Sequence, residues 1–133
     1  MEGSLKDLAK LRFERAKEML KSAKNNYAQD DLKTALNRSY YAIFHAMRSV
    51  NCLSGFDSSK HSGVIAYFNR NTLKNGDINP EYSGIIKSAS YCREKSDYDD
   101  FYIVSRKEAE EQIKNAESFL AAVELCLEEK LKE

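Results

Sequence analysis

Four residues of the segment NRSYYAIFHAMRS, numbers 37–49, carry side chains suited to phosphate chemistry. Arg38, Tyr41, His45 and Arg48 recur at intervals of three and four residues, so a helix places them on one stripe. Arg38 and His45 are seven residues apart and stand about 10 Å apart along the axis, with Tyr41 between them. When a 2′-hydroxyl attacks the adjacent phosphorus of RNA, a histidine can move the proton. An arginine can stabilise the charge that builds on the phosphate oxygens. Arg38 and His45 are therefore the candidate catalytic pair, in a chemistry that requires neither metal nor cofactor. Tyr41 and Arg48 are candidates to contact the ligand, the tyrosine by stacking on a base or by donating to phosphate.

Two later positions extend this set. His61 falls in the first turn of a third helical segment, where the helix dipole disfavours an imidazolium and free N–H groups can hold an anion. The plainer alternative is a histidine that is simply hydrogen-bonded. Arg93 falls in the last turn of a fourth segment and is followed by Asp97 and Tyr98. Its plainer alternative is a pair with Asp97, four residues on, that closes the helix end. His61, Arg93, Asp97 and Tyr98 complete the candidate ligand contacts.

These positions need a helical frame, and the apolar periodicity predicts an all-α fold. From residue 4 to about 27, Leu5, Leu8, Ala9, Ala16, Met19, Leu20, Ala23 and Tyr27 form one stripe. Arg12 interrupts that stripe, where it either pairs with a carboxylate or runs along its own stem to water; the second is expected. Asp30 or Asp31 caps a second helix to about residue 51, with Leu36, Ile43, Met47 and Val50 on its main face. A third helix spans 60 to about 72, capped by Ser58 or Ser59, and a fourth spans 80–95 with Pro80 near its first position. Ser105 to Glu108 has the form of a capping box ahead of a last long helix. Short connections favour an up-and-down antiparallel bundle of four to five helices, one domain over residues 1–133.

Composition narrows the function classes. The 21 basic and 21 acidic residues balance, so no net field draws the chain onto nucleic acid or an anionic membrane, and any such contact must be local. Charge is nevertheless uneven: the first helix is rich in lysine and arginine, and Glu94, Asp97, Asp99 and Asp100 cluster after the fourth. Three widely spaced cysteines fit buried thiols in a reducing compartment and offer no zinc-binding pattern. With a polar start and no long apolar run, a cytoplasmic protein without membrane contact is expected. The second helix is apolar around much of its circumference, which suggests cover on two sides and hence a homodimer.

In order along the chain, NRSYYAIFHA, KHSGVIAYF and YCREKSDYD precede a long terminal helix containing AESFL. This pattern resembles the small stand-alone branch of the HEPN family, over nearly the whole chain. The resemblance implies a dimeric bundle of four to five helices, often encoded beside a small nucleotidyltransferase. It also implies one of two activities: a metal-independent endoribonuclease, commonly a toxin restrained by that partner, or a non-catalytic module that binds nucleotide or RNA. Ribonuclease members carry an arginine and a histidine with four to six residues between them, late in the bundle. Arg38 and His45 match that spacing but sit on the second helix, and the late position is filled here by Arg93 to Tyr98, without histidine.

Three functions follow from these residues. A ribonuclease toxin would use His45 or His61 with Arg38 or Arg93. A binding module would use the same groups without turnover, which accords with the missing late histidine. A helical adaptor would use the aromatic segment as an interface, where Tyr, Phe, Met and Arg are enriched.

Overall fold

The computed structural model describes residues 2–133, with side chains from residue 4 onward. Five helices form an antiparallel bundle: α1 (Glu2–Ala28), α2 (Leu32–Asn51), α3 (His61–Phe68), α4 (Tyr82–Tyr98) and α5 (Arg106–Lys132). No strand occurs among the described residues. A short helical turn, Cys52–Ser54, follows α2, and α3 continues into a π-helical turn, Asn69–Leu73, closed by Lys74 N–H donating to Asn69 C=O at 2.8 Å.

The ends of the elements follow from local chemistry. Asp31 caps α2 by accepting from Thr34 N–H at 3.2 Å. Asp30 instead takes the left-handed backbone, φ 63°, and receives Arg106 at 2.5 Å. Ser105 caps α5 by accepting from Glu108 N–H at 3.0 Å, but Glu108 bonds the Tyr102 hydroxyl, so the box does not close reciprocally. Neither Ser58 nor Ser59 caps α3 as expected: Ser58 Oγ accepts from Lys60 N–H at 3.1 Å, and the helix starts at His61. Helix α4 runs to Tyr98, so Glu94 and Asp97 lie within it and not in a turn.

Helix α2 is the centre of the bundle and packs on α1, α3, α4 and α5. Its pairing with α1 is the most extensive in the molecule. Ala9 and Ala16 on α1 join Ala42 and Ala46 on α2 in one cluster, all fully buried, and such small side chains let two helices approach closely. Around them Ile43, Met47, Phe68, Phe119 and Val123 fill the core, each contributing about 2 kcal/mol through burial. The two-sided apolar character of α2 is covered within this chain by α1 and α5 together with α3 and α4.

Candidate functional site

The side of α2 turned toward α3 and α4 carries a continuous group of aromatic and imidazole rings. Tyr40, only 2% exposed, is at its centre. Its hydroxyl lies 2.8 Å from His61 Nδ1, and the Arg93 guanidinium sits over its ring at 4.7 Å from the centroid. The His61 ring stacks on Phe44 at 4.2 Å, and Tyr41 stands edge-on to it at 5.8 Å. Tyr41 in turn meets His45 at 6.1 Å. With Nδ1 of His61 engaged by Tyr40, the nitrogen left for a ligand is Nε2.

Both histidines are held neutral. Burial, then the charges of Arg48, Arg15 and Arg12, bring His45 down to about 4. Burial, then Arg93 and Arg48, lower His61 as well. Burial pushes the Tyr40 phenol up to about 12, against the pull of Arg93. The face therefore presents neutral rings between cationic arginines, a combination suited to an anion that also carries aromatic groups.

The residues selected from the sequence fall into three groups. Tyr41 of α2 joins His45 to His61 of α3, Arg93 of α4 closes the group over Tyr40, and the charge of Arg48 acts on both histidines. Arg93 also pairs with Asp97 at 3.2 Å, so the plainer role for these two coexists with the contact to Tyr40. Arg38 is not joined to His45; it is half-buried, and its Nη1 donates to the Asn37 side chain at 2.6 Å. Tyr98 is 79% exposed and borders a surface hollow with Tyr91, Glu94, Lys95 and Asp99. A cleft of about 510 Å³ between α5 and the loop before α4, lined in part by Tyr82, Cys126 and Lys130, contains none of these residues.

Three contributors were not singled out by sequence. Tyr40 and Phe44 lie outside the stripe of Arg38, Tyr41, His45 and Arg48, and the available signal is the Tyr-Tyr pair followed four residues after Tyr40 by an aromatic. Asp57 is the third: it pairs with Arg12 at 2.9 Å and Arg48 at 3.3 Å. The Arg12 expectation is corrected here, since its side chain is 13% exposed and ends on a carboxylate, with no free run to water. The three cysteines are buried and free. Among the described residues no helix is long and apolar enough to cross a membrane.

Comparison with known proteins places this arrangement. A "UPF0332 protein" of Thermotoga maritima is 35% identical over 115 residues, covering 86% of this chain and 87% of that protein. Two proteins of Methanocaldococcus jannaschii are similar along most of their length. "Putative toxin MJ0605" is 33% identical, with 88% of this chain and 87% of that protein covered. "Putative toxin MJ0142" is 28% identical, with 86% and 78% covered. The HEPN domain model matches residues 9–127, nearly the full bundle including every residue of the aromatic and imidazole face, and the chain belongs to the HEPN domain family.

Proposed function

We propose that this chain is a toxin-like HEPN protein that binds RNA or a nucleotide on the face formed by Tyr41, His45, His61, Arg48 and Arg93. The supporting observation is the position of His61, stacked on Phe44 and bonded to Tyr40, between the charges of Arg93 and Arg48. Arginine provides directed charge for phosphate, and the rings provide stacking surface for a base. Pairing with a second copy and with a small nucleotidyltransferase belongs to the same proposal, and exposed Tyr91, Tyr98, Phe101 and Ile103 offer an apolar surface for assembly.

Metal-independent cleavage of the bound RNA is the second reading. It is favoured by one feature: a neutral His61 engaged through Nδ1 by Tyr40, since in the tautomer whose Nδ1–H donates to the Tyr40 oxygen, Nε2 is unprotonated and able to act as a general base. Both readings are tested with a fluorescent single-stranded RNA in EDTA, following anisotropy for binding and a gel for cleavage. Wild type should bind, with affinity falling as salt rises. Arg93→Ala should weaken binding about tenfold. Undiminished binding in Arg93→Ala and His61→Ala would overturn the site. Intact RNA after long incubation with wild type would remove the cleavage reading and leave the binding one.

A further inference from the structure

Beside the aromatic face, two arginines converge on one carboxylate. Arg12 of α1 and Arg48 of α2 both direct Nη2 at Asp57, at 2.9 Å and 3.3 Å. One negative charge faces two positive ones, and His45, with Arg15 acting on it as well, is near enough to feel all three arginines. Three atoms here are buried without a hydrogen-bond partner in the protein: Arg12 Nη1, Arg48 Nε and His45 Nδ1. Buried guanidinium N–H groups are rarely left this way, and two orphaned donors on the arginines that hold one carboxylate point to a larger anion than a carboxylate.

Asp57 comes from a loop whose place is set separately from the ion pairs. Gly55 turns the chain with φ 79°, Phe56 stacks flat on Tyr67 at 3.9 Å, and Ser58 rests on the first turn of α3. That last contact requires Gly63, where an added Cβ would meet Ser58 Oγ at 2.7 Å. The Asp57 side chain itself is 52% exposed, whereas Arg12 and Arg48 beneath it are at 13% and 25%. The carboxylate can swing into water while the loop remains anchored and the guanidiniums remain in place.

We propose that Arg12 and Arg48 form a phosphate-binding site whose anion position Asp57 occupies until a phosphate group displaces it. A phosphate has more oxygens and more charge than a carboxylate and can engage both guanidinium forks, including the N–H groups that Asp57 leaves unpaired. Where RNA is the source of that phosphate, the proposal rests on the reading above; the inorganic ion tests it independently.

The test is calorimetric titration of sodium phosphate, and separately of a short single-stranded RNA, into wild type, Asp57→Asn, Arg48→Ala and Arg12→Ala. Phosphate should bind Asp57→Asn about tenfold more tightly than wild type, because the competing carboxylate charge is gone, and should bind both arginine variants at least tenfold more weakly. Arg70→Ala, which removes an exposed arginine elsewhere, should match wild type. If Asp57→Asn fails to fold by circular dichroism, Asp57→Ala decides, since it removes the carboxylate without setting an amide against the two guanidiniums; tighter phosphate binding is again expected. Equal phosphate affinity in wild type and a folded Asp57 variant would overturn the site. If wild type binds RNA and Asp57→Asn changes neither RNA nor phosphate affinity, the displaced-carboxylate site falls while the RNA reading stands. If no variant binds RNA but Asp57→Asn gains phosphate affinity, the reverse holds.

Discussion

Two arginine and histidine groupings on this molecule differ in how they arise. Arg38 and His45 are related by spacing on one helix, yet Arg38 bonds only its neighbour Asn37 among the described residues. Arg93 and His61 are thirty-two positions apart in the chain, yet both meet Tyr40, one over its ring and one at its hydroxyl. Spacing along a helix sets only a direction, whereas convergence requires a second element opposite. The helices α3 and α4 supply that element for Tyr40, and the Arg38 end of the stripe lacks an equivalent contact.

The sharpest way to break this contrast is to remove its centre. Tyr40→Ala should destabilise the fold by about 4 kcal/mol, the usual cost of truncating a buried aromatic, while Tyr40→Phe should cost about 1 kcal/mol by losing the His61 bond alone. Urea denaturation midpoints check both. Equal losses in the two variants would mean that the hydroxyl, and not the ring packing, organises the face.

Acid should act next most strongly, through His45. The folded protein holds it neutral down to about pH 4, against 6.5 for the unfolded chain. Below 6.5 the unfolded state takes up a proton that the folded state refuses, so stability is complete above that pH and falls as pH drops toward 4. Arg12 and Arg15 of α1, Arg48 of α2 and His61 of α3 face the ring, and His61 adds a loss of the same sign. The expected loss from His45 is about 2 kcal/mol, less than the full shift because solvent screens a half-buried ring. Stability measured against pH should be flatter in His45→Gln than in wild type.

The smaller effects separate the two arginines. Arg93→Ala should weaken RNA binding about tenfold and lower the melting temperature by a few degrees, as the contact with the Tyr40 ring and the pair with Asp97 are lost. Arg38→Ala should change stability by less than about 0.5 kcal/mol, as for a surface substitution without a network. It should leave binding within about twofold of wild type, well short of the tenfold loss in Arg93→Ala. Loss of binding in Arg38→Ala with normal binding in Arg93→Ala would return the site to the single-helix pair and discard the convergent one.

The helices, the α2 and α5 caps, and the stripe of Tyr41, His45 and Arg48 were legible in the sequence, because each depends on residues within about one or two helical turns of one another. Asp31 and Ser105 act on N–H groups three residues away, which sequence spacing alone specifies. The α3 cap was misassigned because Ser58, packed against Gly63, bonds Lys60 N–H instead of capping the helix. Tyr40 as the hub, the neutral state of His45, and the convergence of Arg12 with Arg48 on Asp57 were decided only by tertiary structure. Each depends on residues brought together from different helices, and Arg12 meets Asp57 across forty-five positions of chain. Helix periodicity determines which way a side chain leaves its own axis; which partner it finds, and what charge it then carries, is set by how the five axes pack.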